Sequence, residues 1–457
     1  MASKQDRQDS LAGTADRRGW LKGLVGAGGV LAGLGAGSSP SRAQTEAPPP
    51  GGTTLPTLPT PPGGSAADAA RDEGYWGRVA ALYRVSPDLI NLENGFFGVL
   101  PTPVLSAYQA HIARLNELNS LYLRTQYGKD SEAIRARLAA AIGAQPGEIA
   151  LTRGATEALQ NLISNYRGLK AGDTVLYSDT DYDSTQAQFD ALHQVRGVDV
   201  ARFDLPEPAT RQGILDAYAR ALTTHPKARL LLLTHVSHKN GLILPVAEIV
   251  KLARARGVDV IVDAAHSWGQ IDFKVTDLDA DFVAFNLHKW IGAPLGVGFL
   301  YIRQSRLADI APHLGVSTAA DVDDIRSRVH TGTTNTANVL TIPDALDFHE
   351  RIGVSRKTAR LRYLHELWAS EAARIPGVQV LRPADPGLTA GIGAFRFKGR
   401  GDLASTQEVA RRLREQHRIF TVARGGLAGG AAVRVTPALF TRPEEVLRLV
   451  EALRQLA

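Results

Sequence analysis

The sequence predicts an α/β protein with a large three-layer domain, built on a mostly parallel sheet, and a smaller C-terminal α+β domain. Between residues 148 and 302, seven apolar runs alternate with segments whose apolar residues lie three or four positions apart. This alternation of strand and helix is typical of a parallel sheet covered by helices. After Thr341 the pattern changes to a long helical region followed by mixed strands and helices. We therefore expect the large domain to end near residue 340 and the small one to span residues 341–457.

The elements of the large domain can be assigned in chain order. The predicted strands are residues 148–151, 174–177, 198–203, 229–235, 258–262, 282–285 and 297–302. The predicted helices between them are residues 156–166, 184–195, 213–223 and 246–256. In the small domain we expect a helical region through residue 374, strands at 378–381, 394–397 and 432–435, and a terminal helix.

The N-terminus has the pattern of an export signal. The sequence DRRGWLK at residues 16–22 precedes a glycine-rich apolar stretch, and SRA at residues 41–43 matches a small-x-small cleavage site. This pattern resembles a twin-arginine signal, which predicts a periplasmic or secreted protein. The apolar stretch is too short for a stable membrane span, although an anchor helix is the alternative. Residues 44–74, rich in proline and glycine, are expected to be a disordered linker, and residues 75–340 to hold the N-terminal segment and the large domain.

Composition excludes several classes of function. The net charge is +6, but residues 1–43 contain six basic and three acidic residues, so the remainder carries little excess charge. Without a basic run in that remainder, no nucleic-acid partner is expected. The chain has no cysteine, which excludes disulfides, thiolate metal ligands and a protein thiol as nucleophile or acceptor. We expect no metal site.

Two charged residues follow consecutive predicted strands at the edge where α/β sheets bind ligands. Lys289 lies in NLHKW at residues 286–290, and Asp263 lies in IVDAAHS at residues 261–267, 26 positions earlier. Taken singly, such a lysine is an ordinary solvated charge and such an aspartate a helix cap. Together they suit an aldehyde cofactor that Lys289 binds as a Schiff base, while Asp263 keeps the ring nitrogen protonated.

Two further motifs supply what a phosphorylated aromatic cofactor needs. The sequence LTRGATEA at residues 151–158 passes from a strand through Gly154 into a helix, where free N–H groups and the Thr156 hydroxyl would hold a phosphate. The next strand is followed by DTDY at residues 179–182, which places Tyr182 where it could stack on a flat ring.

Along the chain, the four motifs occur in the order phosphate-binding helix start, stacking tyrosine, aspartate and lysine. In that order they resemble the motifs of the class V aminotransferase family of fold-type I pyridoxal-phosphate enzymes. The resemblance spans residues 90 to 457 and is strongest to the isopenicillin N epimerase branch, through NLENGFFG at residues 91–98, HVS at 235–237 and GLILP at 241–245. It implies the fold-type I architecture, pyridoxal 5′-phosphate as cofactor and a homodimer with shared active sites.

The resemblance also implies roles for individual residues. It implies phosphate contacts for Ala155, Thr156, Asn286 and His288, a catalytic position beside the ring for His266, and substrate contacts for Asn94. Asn286 stands where relatives often have serine. Thr333 resembles the threonine that reaches the phosphate of the neighbouring subunit, and Arg434 the arginine that binds a substrate carboxylate.

The same constellation serves several reactions at the α-carbon of an amino acid or related substrate. The branch resembled favours an epimerase or racemase, and transamination or carbon–sulfur cleavage is the alternative. Cysteine desulfurases of this family accept sulfur on a cysteine, which this chain lacks. A non-catalytic exported binding protein with the same fold is the alternative from another class; the presence of Lys289 and Asp263 argues against it.

Overall fold

The N-terminal part of the chain forms helices that pack on the rest of the protein. The computed structural model describes residues 57–317 and 321–457; the predicted signal, residues 1–43, and residues 44–56 of the predicted linker lie outside them. The first elements are α1 Ala66–Ala69, α2 Glu73–Ala80, β1 Ile90–Asn91, α3 Thr102–Thr125 and α4 Tyr127–Ile142. The indole of Trp76 donates to the carbonyl of Ala69, and Arg360 donates to the carbonyl of Ala70. The first helix of the described residues therefore begins within the predicted linker, at Ala66.

A seven-stranded sheet forms the centre of the large domain. Its strands are β2 Ile149–Thr152, β3 Thr174–Ser178, β4 Asp199–Phe203, β5 Ala228–Thr234, β6 Asp259–Asp263, β7 Phe282–Asn286 and β8 Gly298–Ile302. They lie in the order β2-β8-β7-β6-β5-β3-β4, and β8 runs antiparallel to both of its neighbours while the other pairs are parallel. The prediction of a mostly parallel sheet is confirmed.

Helices cover both faces of this sheet. They are α5 Ala155–Asn165, α6 Asp183–Arg196, α7 Arg211–Thr224 and α8 Val246–Arg254, while the short α9 Thr336–Leu340 packs on α3 and α4. Because side chains alternate along a strand, Leu230 and Leu232 of β5 pack in the cluster with α5 and α6, whereas Leu231 and Leu233 pack in the cluster with α7 and α8. The sheet is thus buried on both sides, as its nearly continuous apolar strands predict.

The small domain has one antiparallel sheet backed by helices. Its elements are α10 Ile342–Ile352, α11 Val354–Ala372, β9 Val378–Val380, β10 Gly393–Phe397, α12 Leu403–His417, β11 Ile419–Phe420, β12 Val422–Arg424, β13 Ala432–Val435 and α13 Pro443–Leu456. The sheet order is β12-β13-β10-β9. The long helical region expected after Thr341 is two helices, because Gly353 adopts a positive φ of 88° between them.

The N-terminal segment joins the small domain through a second, two-stranded sheet. Strand β1 pairs in parallel with β11, and Glu93 bridges to Thr436 just after β13. Sequence analysis had grouped this segment with the large domain, but its pairing partners lie more than 300 positions later in the chain. Among the described helices, none combines the length and apolar character needed to cross a membrane.

Candidate active site

One cavity at the carboxyl edge of the large sheet brings the predicted motifs together. Strand β2 is antiparallel to β8, which is antiparallel to β7, so β2 runs in the same direction as β3, β5, β6 and β7. The residues that follow these strands therefore meet at one edge. There they line a cavity of about 330 Å³. The predicted residues on its wall are Gly154, Ala155, Thr156, Tyr182, Asp263, His266, Asn286, His288 and Lys289.

Lys289 is held by a histidine from the neighbouring strand end. Its Nζ lies 2.9 Å from Nε2 of His266, and the indole N–H of Trp290 lies 3.4 Å from Nδ1 of the same ring. Removal from water lowers the pKa of Lys289 to about 7, and the nearby Asp263 carboxylate partly opposes this shift. Burial lowers the pKa of His266 well below its usual value. With Trp290 donating to Nδ1, a neutral His266 carries its proton on Nε2, facing the amine.

Asp263 is the buried carboxylate of the cavity. Its Oδ1 accepts a hydrogen bond of 2.9 Å from the backbone N–H of Ala265, and burial raises the pKa of its carboxyl group. In the register of the sheet it lies beside Thr234, at the end of β5. A buried carboxylate with a single backbone donor is stabilised by a positively charged partner in the cavity.

The backbone at the start of helix α5 lies in close contact with the side chain of Asn286. The backbone N–H of Ala155 donates to Oδ1 of Asn286 over 2.7 Å. A Cβ at Gly154 would come within 2.9 Å of this Oδ1 and 3.2 Å of Cε1 of His288, so only glycine allows the approach. Asn286 therefore occupies one N–H of the first helical turn, and the turn offers its remaining free donors and the exposed Thr156 to an anion.

His288 is neutral in this arrangement. Its Nδ1 lies 3.0 Å from the carbonyl oxygen of Val297, to which it donates, and burial lowers its pKa to about 4. A neutral ring that donates from Nδ1 has a bare Nε2. His288 can therefore donate to a phosphate only if the negative charge of that phosphate raises its pKa.

Sequence analysis missed two polar residues on the cavity wall. Within the described residues, neither ring nitrogen of His238 has a hydrogen-bond partner, and the hydroxyl of Thr234 is likewise buried without one. The His238 ring meets Tyr182 edge-on at 5.0 Å and lies 6.4 Å from the roughly parallel ring of His266. The sequence did contain a signal for these two residues. Thr234 is the last residue of β5, just as Asp263 is the last residue of β6, and His238 follows Thr234 by four positions.

Comparison with known proteins identifies the family. The family model described as aminotransferase class V matches residues 99–444. The chain is 31% identical to an isopenicillin N epimerase of Streptomyces clavuligerus over 399 residues, covering 83% of this chain and 98% of that protein. The chain belongs to the class V aminotransferase family.

Two further similarities come from proteins named for another reaction. A probable cysteine desulfurase of Vibrio cholerae is 26% identical over 76% of this chain and 87% of that protein. The solved structure of a cysteine desulfurase from Thermococcus onnurineus superposes with a TM-score of 0.70 at 23% identity, covering 83% of this chain and 97% of that one. The latter shows that the two proteins share the fold-type I architecture.

As a member of the class V aminotransferase family, this chain is an enzyme whose cofactor is pyridoxal phosphate, and the cavity fits that group. The Thr234 hydroxyl and the His238 ring nitrogens are buried without a hydrogen bond and both residues line the space available to it, although Nε2 of His238 lies 3.8 Å from Oδ2 of Asp183. Lys289 would supply an amine for its aldehyde, Asp263 a carboxylate for its ring nitrogen, and the start of α5 donors for its phosphate.

Arg434, which sequence analysis expected to bind a substrate carboxylate, is already paired in this class V enzyme. Its Nε donates to Oε2 of Glu93 over 3.1 Å, its Nη2 to Oε1 of Glu93, and its Nη1 to the carbonyl oxygen of His238 over 2.8 Å. Both side chains are buried, and Arg434 does not line the cavity. The expected contact of Arg434 with a substrate carboxylate stays a prediction, and in this structure the same edge of the guanidinium holds Glu93.

Asn94 and Thr333 also lie off the cavity wall. The amide of Asn94 donates to the carbonyl oxygens of Asn91 and Thr436, at 3.0 and 2.9 Å, which uses both of its N–H groups to join the N-terminal segment to the small domain. Its expected contact with substrate stays a prediction; Asn94 lines a smaller pocket that Lys289 also borders. Thr333 is exposed on a loop before α9, so within one chain it makes no contact with the phosphate end of the cavity.

Proposed function

We propose that this enzyme inverts configuration at the α-carbon of an amino acid or an amino-acid-derived substrate, as an epimerase or racemase. The observation that carries the proposal is the pair of Lys289 and His266, in which the amine, 2.9 Å from Nε2, has a pKa of about 7. Such an amine is substantially neutral at physiological pH and accepts a proton readily. Similarity to an isopenicillin N epimerase along 98% of that protein supports the same assignment.

Different residues of the cavity can carry out different parts of the proton transfer. When bound, pyridoxal phosphate supplies an electron sink for the negative charge that develops at Cα. Lys289 removes the Cα proton, and His266 stabilises the amine through Nε2. Asp263 holds positive charge at the ring nitrogen, because a buried carboxylate is stabilised by a cation beside it. Inversion then requires that Lys289 or a neighbouring group return a proton to the opposite face.

Tyr182 and His238 are the neighbouring groups that could return this proton. Both line the cavity with Lys289 and lie edge to face with each other. Burial lowers the pKa of His238 to about 3, so its imidazole is neutral at physiological pH; it can accept a proton, and it returns one to the substrate only after it has been protonated. The relatives named as desulfurases do not favour sulfur transfer for this chain, since it has no cysteine to accept sulfur.

The test is incubation of the purified enzyme with single amino acids in deuterium oxide. We expect deuterium at Cα together with the appearance of the opposite enantiomer, measured by proton NMR and chiral chromatography. Lys289→Ala is the control and should show neither. Stoichiometric keto acid without inversion would identify a transaminase, and release of sulfide from cysteine or cystine would identify a carbon–sulfur lyase; either result would contradict the proposal.

We also propose that the enzyme is exported and dimeric. The twin-arginine pattern at residues 16–22 supports export. Two exposed aromatic residues support a partner subunit: Phe96 and Phe97 are 66% and 43% exposed, and Phe96 stands on the cavity wall. Exposed apolar side chains at the edge of a site are typical of a surface that another chain covers. Thr333 of the partner subunit would then complete the phosphate site.

A further inference from the structure

The turn that carries Lys289 is packed closely against other parts of the chain. A Cβ at Gly98 would come within 2.3 Å of the carbonyl oxygen of Lys289, and a Cβ at Gly269 within 2.8 Å of the carbonyl carbon of Trp290. The backbone N–H of Gly98 also donates to the carbonyl oxygen of His288 over 2.8 Å. Within the described part of the chain, however, no backbone N–H donates to the carbonyl oxygen of Trp290.

A buried lysine of the small domain binds this carbonyl oxygen instead. Nζ of Lys357, on α11, donates to the carbonyl oxygen of Trp290 over 2.6 Å and lies 2.9 Å from Nδ1 of His349, on α10. Burial lowers the pKa of His349 well below its usual value, so its neutral ring can accept at Nδ1. A lysine amine has at least two N–H groups whether or not it is protonated. Lys357 can therefore donate to both acceptors in either state.

Lys357 reaches the site through the backbone and not through the main cavity. Lys289 lines the main cavity, whereas Lys357 does not, and both lysines border a smaller pocket of about 40 Å³. Burial of the amine is unfavourable and lowers its pKa to about 7. A lysine kept in such surroundings, with its amine on the turn that carries Lys289, is a candidate for a functional role.

Trp290 connects Lys357 to the pair of Lys289 and His266. The indole N–H of Trp290 lies 3.4 Å from Nδ1 of His266, and Nε2 of that ring lies 2.9 Å from Nζ of Lys289. A separation of 3.4 Å is at the long limit for an N–H hydrogen bond, so a small displacement of Trp290 would break it. Because the carbonyl and the indole belong to the same residue, an anchor on the carbonyl limits that displacement.

We propose that Lys357 is a positioning residue that acts on this pair through Trp290. By holding the carbonyl oxygen of Trp290, it keeps the indole N–H on Nδ1 of His266, and the Nε2 proton of that ring stays directed at Lys289. A donor at the lysine nitrogen stabilises its unprotonated form, because the hydrogen bond is lost when the nitrogen takes a proton. For its consequence in catalysis, this inference rests on the proposed proton transfer by Lys289.

The experiment titrates the cofactor absorbance of the holoenzyme with pH in the absence of substrate. The midpoint reports protonation of the nitrogen that joins Lys289 to the cofactor. In Lys357→Met the covalent adduct should remain, and we expect the midpoint to rise by about 0.5–1 pH unit, the scale of one hydrogen bond. An unchanged midpoint in the folded variant would overturn the proposal.

A double-variant cycle separates this route from the loss of a positive charge, which would also raise the midpoint. Trp290→Phe removes the indole N–H but keeps the backbone carbonyl, and it should raise the midpoint by a similar amount. If Lys357 acts through the indole, Lys357→Met should add less than about 0.3 pH unit in the Trp290→Phe background. Full addition of the two shifts would show that Lys357 acts by another route and would reject the inference.

Arg362→Met is the matched control on the same helix. The half-buried side chain of Arg362 donates to the carbonyl oxygen of Thr389 over 2.8 Å, so the variant removes a similar contact that does not involve Trp290, and its midpoint should equal that of wild type. A shift equal to that of Lys357→Met would indicate a general loosening of α11 and count against the proposal. The other groups whose charges act on Lys289 and His266 remain in every variant: Glu93, His238, Asp263, Arg424 and Arg434.

A second substitution keeps the test possible if Lys357→Met does not fold. The side chain of glutamine is one bond shorter than that of lysine, so Lys357→Gln leaves the carbonyl oxygen of Trp290 unbound while keeping a polar group, and the same rise is expected. The readout is also independent of the proposed reaction, because no substrate is present. Transamination in place of inversion would reject the reaction and leave the role of Lys357 standing, whereas inversion with an unchanged midpoint in the Lys357 variants would do the reverse.

Discussion

The amine of Lys289 and the imidazole of His266 are hydrogen-bonded across 2.9 Å, although their positions in the chain differ by 23 residues. The contact exists because β6 and β7 are parallel neighbours, so the loops that follow them meet at one edge. Trp290, next to the lysine, donates to the other nitrogen of the same imidazole. Both groups are buried, and this burial lowers the pKa of the amine and of the imidazole.

Lys289→Ala should abolish covalent attachment of the cofactor, because among the described residues no other lysine lines the cavity. Borohydride reduction followed by peptide mass spectrometry measures the adduct. Lys357 provides a matched control: it is also buried, its pKa is also lowered to about 7, and its Nζ donates to the carbonyl oxygen of Trp290 over 2.6 Å. Lys357→Met should keep the adduct. An adduct persisting in Lys289→Ala would refute the assignment.

The cofactor-free protein should become more stable between pH 7 and 10.5 through Lys289. Burial lowers its pKa from 10.5 to about 7 in the folded state, so in this window the unfolded chain binds more protons, and the free energy of unfolding rises with pH. Below about pH 7 the lysine is protonated in both states and its contribution is constant. Denaturant unfolding of wild type and Lys289→Met at several pH values measures the difference; parallel curves would contradict the shift.

Asp263→Asn should keep the fold and the cofactor but lose most turnover. An asparagine oxygen can still accept from the N–H of Ala265, whereas the negative charge beside the ring nitrogen is lost. We expect the rate to fall by roughly two orders of magnitude, the scale of removing one preorganised electrostatic contact. Absorbance reports cofactor content and isotope exchange reports the rate. A variant with full cofactor and a near-normal rate would exclude the electron-sink role.

Thr333→Glu should weaken both the dimer and cofactor retention, because each stabilises the other by mass action. Thr333→Ala should cost only a phosphate hydrogen bond, about 1.5–3 kcal/mol. Thr224→Glu, at an equally exposed threonine at the end of α7, is the control. Light scattering measures mass, and absorbance after dialysis measures bound cofactor. A monomer at micromolar concentration with full cofactor would reject the shared site.

Replacing Arg17 and Arg18 together by lysine should leave the protein in the cytoplasm, folded and carrying its cofactor, because twin-arginine export depends on that pair. Cell fractionation with detection of the protein measures the outcome. The wild-type chain should appear in the periplasm or medium of the same host. Continued export of the double variant would indicate another route.

The elements that could be predicted are those with strong patterns. Strands β2 to β8 are apolar runs bounded by turn residues, and all seven fall within two residues of their predicted bounds. Helices α3 and α4 were missed, because α3 leaves Ile112, Leu121 and Leu123 exposed and so lacks the clear one-sided pattern of a core-packed helix. Strand β1 is only two residues long, and it could be recognised as a strand only through its pairing with β11, more than 300 positions later in the chain.

The sequence by itself determined which chemical groups follow which strands, and so it was enough to bring Lys289, Asp263, His266 and the start of α5 to one cavity. Only the tertiary structure decided how those groups are charged and paired. Glu93 and Arg434 are 341 positions apart, yet they form a buried ion pair. Because burial and nearby charges set both pKa values and the donors left free for a ligand, the pairing of Arg434 with Glu93 could be recognised only once the fold was known.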